Sequence, residues 1–325
     1  MSPRAPRELY RHDGCGDPRA EVRARVRAAE DAREPAELKE HEREHASPEG
    51  RCCVASSSAA RSPRDDARAL VYDASMSFKD HFSSSAALYK TARPRYPDAL
   101  FDFIARAAPT TTRAWDAGCG NGQASHALAA HFAHVLATDP STEQVSRAEP
   151  HERITFAVEP AERSSAADAS VDVVTVAQAL HWFDHARFFD EVRRVLARGG
   201  LLVAWGYSTF HVSRAFDAAF TTLVRDVVAR DWPDENQLLW DGYRDIAFPG
   251  LPVEAPRFSI DVTWTLDALL AYVRTWSGVV RHDARTGRAL VDEVRPALAH
   301  AWAEGSAADA PRPITMPIDL VARRF

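Results

Sequence analysis

The sequence predicts an open α/β fold: a doubly wound, mostly parallel sheet of seven strands, with a helical lid or insertion. Three observations support this prediction. From about residue 76 onward, short apolar segments of β type alternate with longer helical segments. A glycine-rich turn follows the first of these strands, and the last segment, residues 314–325, alternates as a strand does. Such alternation is typical of right-handed βαβ units, which cover a parallel sheet with helices on both faces.

The core elements can be placed in order along the chain. A helix at 96–108 begins through Pro97 and precedes a short strand at 113–117. The predicted elements that follow are a helix at 123–132, strands at 134–138, 154–158 and 171–177, a helix at 186–196 and a strand at 200–205. Gly199-Gly200 is expected to end the helix at 186–196.

The pattern changes after residue 205. We predict a long helix at 214–230, an irregular segment rich in Trp and Pro at 231–256, a strand at 258–264, helices at 266–276 and 286–304, and the closing strand at 314–325. The folded domain is therefore expected at 76–325, with a ligand-binding core at 89–205 and the lid and closing strands at 206–325.

Residues 1–75 differ in composition from the rest of the chain. They are rich in Arg, Ala, Glu, Pro and Ser and contain few large apolar residues. Such a composition cannot supply the buried area that ordering a chain requires, so we expect a disordered tail. Such a tail is either solvated or the result of a wrongly assigned start, and a partner-binding arm is the alternative.

Composition excludes several classes of partner. The chain has 325 residues, of which 46% are apolar and 26% charged, and its net charge of −6 does not attract nucleic acid or anionic lipid. Its cysteines have no metal-ligand spacing, so no metal is predicted. No stretch approaches the roughly 20 apolar residues that span a bilayer, and no secretory signal is visible. We expect a cytoplasmic protein with no nucleic-acid or membrane partner, whose oligomeric state stays open.

The chemistry is predicted by a strand, the motif Asp-x-Gly-x-Gly-x-Gly and a helix, with Asp116 at the end of the strand. Glycines permit the positive φ of a tight turn and let a ligand lie against the backbone, and the helix start offers N–H groups to an anion. Asp139 lies 17 residues beyond Gly122, at the end of the next strand, where it can accept hydrogen bonds from both hydroxyls of a ribose. The structural alternatives are a simple tight turn and, for Asp139, a helix N-cap.

These residues resemble the first two motifs of the class I methyltransferases that depend on S-adenosylmethionine. The run 115–123 matches the first motif, and Asp139-Pro140-Ser141 matches the second. Ala161-Glu162, the segment 177–183, and the helix, Gly-Gly and strand at 191–205 follow in the family's order. The resemblance covers about residues 89–205. The strand order of the family implies that the closing strand inserts antiparallel beside the strand that ends at Trp205, and the alternating pattern of residues 314–325 is the local support.

A more specific resemblance is to the small-molecule branch that includes trans-aconitate methyltransferase-like proteins. It depends on residues 78–82, Tyr89, residues 93–97, the segment 178–183 and residues 275–277. The tail before about residue 75 has no counterpart in that pattern. This branch implies methyl transfer to a small organic acceptor, with a carboxylate as one candidate.

The resemblance implies a site for S-adenosylmethionine. The turn at Asp116 would approach the methionine portion, Asp139 the ribose, and Ala161-Glu162 the adenine. The implied cofactor residues are Asp116, Gly118, Cys119, Gly120, Gly122, Gln123, Asp139, Pro140, Ala161, Glu162, Ala177, Gln178, Tyr89 and Arg95.

On the acceptor side, His181 is the candidate general base, because it follows the fourth strand at the edge where ligands of open α/β sheets bind. A hydroxyl acceptor would make the reaction depend on His181 near pH 6 to 7, whereas an ionised carboxylate needs no base. A histidine that only packs is the alternative. The predicted pocket walls and anion-binding groups are Trp182, Phe183, Trp205, Trp276, Tyr243, Arg95, Arg274 and Arg281, and core packing or surface solvation is the alternative for each.

Three rival functions are compatible with parts of this sequence. A nicotinamide-dependent oxidoreductase shares the strand, turn and acid, but its glycines are spaced G-x-G-x-x-G, whereas here they are spaced G-x-G-x-G. A related protein that binds the cofactor without turnover, and a methyltransferase acting on a protein, are the other two.

Overall fold

The structure of the chain, a computed structural model, describes residues 94–303, 307 and 310–325. The predicted tail at 1–75, the segment 78–93 and Tyr89 lie outside the described residues. Among the described residues, no helix has both the length and the apolar character that crossing a membrane requires.

One sheet organises the described chain. Its strands are β1 (Arg113–Ala117), β2 (His134–Asp139), β3 (Ile154–Val158), β4 (Val171–Ala177), β5 (Leu196–Gly206), β6 (Leu251–Pro252), β7 (Phe258–Trp264) and β8 (Arg312–Arg324). Their order is β3-β2-β1-β4-β5-β8-β6, and β7 also pairs with β8. Strands β1 to β5 are parallel to one another, and β8 is antiparallel to β5, β6 and β7. The predicted sheet of seven strands, mostly parallel, is confirmed, and the two-residue β6 is an addition to it.

The antiparallel insertion of the last strand is also confirmed. In the register between β5 and β8, Trp205 lies opposite Leu320 and Gly206 opposite Asp319. At the other end of the pair, the N–H of Gly199 donates to the carbonyl of Phe325, and the N–H of Phe325 donates to Gly200. The end of the chain is thereby fixed to the start of β5.

Helices connect and cover the strands. They are α1 (Asp98–Ala107), α2 (Gln123–Ala129), α3 (Thr142–Ser146), α4 (His185–Val195), α5 (Arg214–Phe220), α6 (Asn236–Trp240), α7 (Leu266–Val273), α8 (Ser277–Thr286) and α9 (Leu290–Trp302). Short 3₁₀ turns lie at Leu180–Trp182 and Ala229–Asp231, and a π-helical turn at Thr221–Arg225. Side-chain caps begin several of these helices; for example, Asp184 accepts a hydrogen bond from the N–H of Arg187 at the start of α4.

Two apolar clusters fill the two faces of the sheet. Successive side chains of a strand point to opposite faces, so Val173 packs with α1 and α2 while Val174 packs with α4. The same alternation places Val203 on the first face and Ala204 on the second. The helices therefore cover both faces, as the doubly wound prediction requires.

Several predicted boundaries are wrong. The helix α4 ends at Val195, and β5 begins at once with Leu196, because Gly199-Gly200 pairs with the end of β8 instead of ending a helix. The long helix predicted at 214–230 is regular only to Phe220. There the hydroxyl of Thr221 donates to the carbonyl of Asp217, four residues back, and a π-helical turn follows.

The predicted helices at 266–276 and 286–304 correspond to three helices. The first, α7, ends at Val273, and the additional α8 ends at Thr286, where the φ of 69° at Gly287 gives the left-handed C-cap that favours glycine. The predicted irregular segment at 231–256 contains α6 and the short β6. The strand predicted at 258–264 is confirmed.

Candidate functional site

The glycine-rich turn between β1 and α2 uses its three glycines differently. All three have positive φ: 69° at Gly118, 56° at Gly120 and 89° at Gly122. A Cβ on Gly118 would lie 2.6 Å from the Cβ of Ala179, and one on Gly122 would lie 2.8 Å from the ring of Phe156. On Gly120 the nearest atom would be 4.0 Å away. The outer two glycines thus allow close packing, whereas the middle one faces open space.

Asp139 connects this turn to the end of β2. Its Oδ2 accepts a hydrogen bond from the N–H of Gly120 and its Oδ1 one from the N–H of Ser141, both at 2.9 Å. The carbonyl of Thr138 accepts from the N–H groups of Gly118 and Cys119. The two sequence motifs therefore meet at the carboxyl edge of the sheet, where ligands of open α/β folds bind.

Asp116, at the next-to-last position of β1, is fully buried. Its carboxylate accepts hydrogen bonds from the hydroxyls of Ser125, at 2.6 Å, and Thr175, at 2.9 Å. Burial raises the pKa of this carboxyl to about 6, although both hydroxyl donors oppose the rise. Asp116 thus joins α2 and β4 to the strand that precedes the turn.

Gln178 fixes the distance between the carboxyl ends of β4 and β5. Its side-chain amide donates to the carbonyl of Tyr207 and accepts from the N–H of Tyr207, both at 2.9 Å. Its backbone φ of 58° is left-handed, which is unusual for a residue other than glycine. Such strain persists where surrounding contacts hold it, and it is concentrated at functional sites.

A buried pair of side chains follows β4. His181, in the 3₁₀ turn Leu180–Trp182, is 5% exposed, and Tyr243, which follows α6, is 1% exposed. The Nδ1 of His181 and the hydroxyl of Tyr243 are 3.4 Å apart. Burial, followed by the nearby His185, lowers the pKa of His181 to about 4. This imidazole is neutral near pH 7, and it titrates below the window of pH 6 to 7 expected from an ordinary histidine.

Comparisons with known proteins identify the family. Residues 115–204 match the model of a methyltransferase domain. An uncharacterised methyltransferase of Mycobacterium tuberculosis is 31% identical over 224 residues, which make up 67% of this chain and 85% of the relative. A solved structure, provisionally described as a type II methyltransferase from Anaeromyxobacter dehalogenans, is 44% identical, with a TM-score of 0.67 over 71% of this chain and 97% of that one. This chain is an S-adenosylmethionine-dependent methyltransferase.

A third relative matches a similar share of this chain. A provisionally assigned methyltransferase of Dictyostelium discoideum is 28% identical over 229 residues, which make up 69% of this chain and 87% of the relative. All three relatives match most of their own length.

The geometry of the turn fits S-adenosylmethionine. A ligand with ribose hydroxyls needs a carboxylate acceptor beside a backbone without side chains, and Asp139 lies beside Gly120 in that arrangement. A carboxylate accepts up to about four hydrogen bonds, so its orientation by two backbone donors is compatible with hydroxyl donors. When bound, the cofactor supplies the electrophilic methyl group.

Other residues predicted to bind the cofactor make contacts within the protein. The amide of Gln123 donates to the carbonyl of Pro94 at 2.7 Å, and the carboxylate of Glu162 accepts from the N–H of Asp184 at 2.9 Å. Cys119 is buried, and burial raises the pKa of its thiol. Ala161 is buried, Pro140 and Ala177 are half-buried, and Arg95 is exposed.

The residues predicted to bind the acceptor do not form one cluster. Trp182 is half-buried beside His181, with 5.0 Å between ring centroids. Trp205 is fully buried in the core, where it packs edge-on against Tyr96 and Phe101. Arg274, at the end of α7, forms an ion pair with Asp292 at 2.5 Å. The positive charge of Arg274 is therefore already balanced by an acidic side chain of the protein itself.

Phe183 and Trp276 also pack separately. The ring of Phe183 lies against Phe188, with 4.9 Å between centroids. Trp276 is buried and lines a cavity of about 90 Å³ beyond β5, whose lining residues are Thr209, Phe210, His211, Asp217, Phe220, Thr221, Arg225 and Trp276.

Sequence reasoning missed the partners that hold these groups. Ser125 and Thr175, which bind Asp116, occupy ordinary helix and strand positions. The hydrogen bonds between Gln178 and Tyr207, and between His181 and Tyr243, join residues 29 and 62 positions apart. No local pattern indicates such contacts.

Proposed function

We propose that this methyltransferase acts on a small organic acid and transfers the methyl group to a carboxylate oxygen, as the trans-aconitate-like branch would. The partner is then a small molecule, not a nucleic acid or a membrane. The observation that carries the proposal is the covering of the carboxyl ends of β4 and β5 by the turn after α6.

Helix α6 and the turn after it pack closely against the end of β5. A Cβ on Gly206, the last residue of β5, would lie 2.3 Å from Leu239 of α6 and 3.2 Å from the hydroxyl of Tyr243. Part of the segment 231–256 therefore packs directly on the sheet edge. A covered sheet edge of this kind favours a small acceptor over an intact macromolecule.

The side chains beside this covered edge favour a carboxylate acceptor. His181 is neutral near pH 7 because burial lowers its pKa to about 4, so it is a weak base. A carboxylate acceptor is ionised at that pH and has no proton to lose. Its lone pair would form the new C–O bond to the methyl group that the bound cofactor supplies, with the S–C bonding pair leaving on sulfur, so positioning would be the protein's main contribution.

The decisive experiment is turnover of isotopically labelled S-adenosylmethionine with a panel of small mono-, di- and tricarboxylic acids, phenols and amines. We expect methyl esters of one or more acids, identified by product mass. Methylation of the phenols or amines alone would replace the carboxylate in the proposal. Methylation of tRNA or of an intact protein, without turnover of any small molecule, would contradict it.

Two alternative functions predict different results in this experiment. A protein that only binds the cofactor would give calorimetric binding with no product from any acceptor. A methyltransferase acting on a protein would label a polypeptide, so denatured and native protein mixtures belong in the same panel.

A further inference from the structure

The hydrogen bond between Tyr243 and His181 lies at the covered edge of the sheet. We propose that Tyr243 is a positioning residue that keeps the proton of His181 on Nε2, so that His181 donates a hydrogen bond to the acceptor carboxylate and does not act as a general base. The chemical class of the acceptor rests on the proposed function. The tautomer of His181 does not depend on it.

The backbone is shaped to bring the Tyr243 hydroxyl to this place. Gly242 and Tyr243 have consecutive left-handed φ values of 63° and 58°, and the second is costly for a tyrosine. A Cβ on Gly242 would lie 3.1 Å from the carboxylate carbon of Asp319. The absence of a side chain at Gly206 likewise leaves room for the Tyr243 hydroxyl. Close packing on both sides thus holds a strained turn in one conformation.

The direction of the hydrogen bond follows from burial and chemistry. Within the described part of the chain, Nδ1 of His181 is the hydrogen-bond partner of the Tyr243 hydroxyl, and buried hydroxyls are almost always hydrogen-bonded. A phenol is a better donor than acceptor, because its oxygen lone pair is delocalised into the ring, whereas a bare imidazole nitrogen is a good acceptor. The phenol therefore donates to Nδ1. The single proton of the neutral imidazole is then on Nε2.

Burial, reinforced by the nearby charges, keeps both groups neutral. Burial, and then the charge of Asp319, raises the pKa of Tyr243, so the phenol keeps its proton. The titratable neighbours that influence His181 are His185, one helical turn away in α4, and Tyr243 itself. Neither supplies a negative charge that would stabilise an imidazolium.

This tautomer decides what His181 can do. An Nε2–H group can donate to an anionic oxygen and fix its direction, but it cannot accept a proton from a hydroxyl acceptor. With a carboxylate acceptor no proton has to move, and the Nε2 proton stays where it is throughout. A histidine held this way suits an acid substrate and is unsuited to an alcohol.

The tautomer can be measured on the full-length protein without any acceptor. In ¹⁵N-histidine-labelled protein at pH 7, long-range ¹H–¹⁵N correlation spectra distinguish protonated from bare ring nitrogens, and His181→Gln assigns the resonances. We expect His181 protonated at Nε2 and bare at Nδ1. In Tyr243→Phe we expect a mixture of tautomers, whereas the matched control His185→Gln leaves the His181 pattern unchanged.

Two spectral outcomes would overturn the proposal: a proton on Nδ1 in the wild-type protein, or an unchanged pure Nε2–H tautomer in Tyr243→Phe. The wild-type spectrum decides the tautomer even if the Tyr243→Phe variant does not fold.

Turnover of the fastest acid in the panel gives a second readout. His181→Gln carries an N–H near the position of Nε2–H and should stay within about 10-fold of the wild-type rate, while His181→Ala should lose roughly 10- to 100-fold. Wild-type turnover should be flat between pH 6 and 8. Equal losses in both variants, with a wild-type rate that rises through a histidine-like pKa, would establish a general base instead.

The two proposals fail separately. If no acid is methylated, the proposed function fails while the spectra still establish or refute the role of Tyr243. If the proton is found on Nδ1, the role of Tyr243 fails while methylation of an acid still stands.

Discussion

The carboxylate of Asp139 accepts a hydrogen bond from the backbone N–H of Gly120 across 2.9 Å. Residues that belong to two different strand ends thus form one unit, in which the turn positions the acid and the acid stabilises the turn. Because Asp139 is 9% exposed, this unit lies at the margin of the buried core, accessible from the carboxyl edge of the sheet.

Substituting Asp139 by alanine should weaken binding of S-adenosylmethionine by about 1.5 to 3 kcal/mol, because a charge-assisted acceptor for the ribose hydroxyls is lost. Isothermal titration calorimetry measures this loss, and thermal melting shows whether the variant is folded. Glu143→Ala is the matched control, since Glu143 is an acid of the neighbouring helix α3 that pairs with Arg147. Unchanged affinity in folded Asp139→Ala would remove Asp139 from the cofactor site.

The glycines of the turn should respond differently to alanine. At Gly120 a Cβ has open space, so Gly120→Ala should lower the free energy of unfolding only by the left-handed backbone cost of about 1 to 2 kcal/mol, while cofactor affinity falls. At Gly118 the new Cβ would overlap Ala179, which adds about 1 to 3 kcal/mol of overpacking. Denaturant unfolding with calorimetry separates the two effects. A Gly120→Ala protein that binds the cofactor as tightly as wild type would contradict this assignment.

The same geometry distinguishes Gly118 from a glycine that faces the ligand. A larger side chain at Gly118 would be expected to collide with the ligand if all three glycines faced it. The structure places Ala179 and Phe183 against Gly118, so Gly118→Val should disturb the fold before it disturbs binding. Sequence spacing identifies a tight turn, but tertiary contacts decide which glycine faces the ligand.

The strands of the core were predictable because they are short apolar runs with turn residues at their ends. The strand at Arg113–Ala117 and the strand at Val171–Ala177 have the predicted bounds. The family resemblance correctly gave the antiparallel closing strand. Helix ends were less predictable: at Thr221 a side-chain hydroxyl competes for a backbone carbonyl, and this competition depends on a rotamer.

On the acceptor side, the sequence predicted the position of the candidate residues but not their contacts. The position of His181 after β4 in the sequence indicates that it lies near the sheet edge. Its proposed tautomer, however, depends on Tyr243, which is distant in sequence. Left-handed φ at Gln178 and Tyr243 is imposed by tertiary contacts, and neither residue type favours it. Composition and motif spacing therefore do not predict these left-handed positions.

Gln178 should contribute to stability through its contacts with the backbone of Tyr207. Gln178→Glu replaces the amide donor by a carboxylate that faces the Tyr207 carbonyl, so we expect the free energy of unfolding to fall by about 1 to 3 kcal/mol. Gln237→Ala is the control, because Gln237 is exposed and its amide contacts only the neighbouring Asp241. Equal stability of Gln178→Glu and wild type in urea unfolding would show that the contact is not formed in solution.

The last prediction concerns pH and the buried His181. In the folded protein its pKa is lowered to about 4, whereas in the unfolded chain it is near 6.5. Between these values the unfolded chain binds a proton that the folded protein does not, so this residue makes stability fall as pH drops from about 6.5 to 4. At pH 5 the expected loss relative to pH 7.5 is about 2 kcal/mol.

Asp116 acts in the opposite direction, because its folded pKa of about 6 lies above its unfolded value and protonation of the folded protein is favoured as pH falls. The contribution of His181 is therefore measured as a difference from His181→Gln, in which Asp116 titrates in the same way. Urea unfolding of both proteins at pH 7.5 and pH 5 should show their stability difference shifting by about 2 kcal/mol in favour of the variant at pH 5. His185→Gln should leave most of that pH dependence in place. A difference that does not change with pH would mean that His181 titrates normally and is accessible to water in solution.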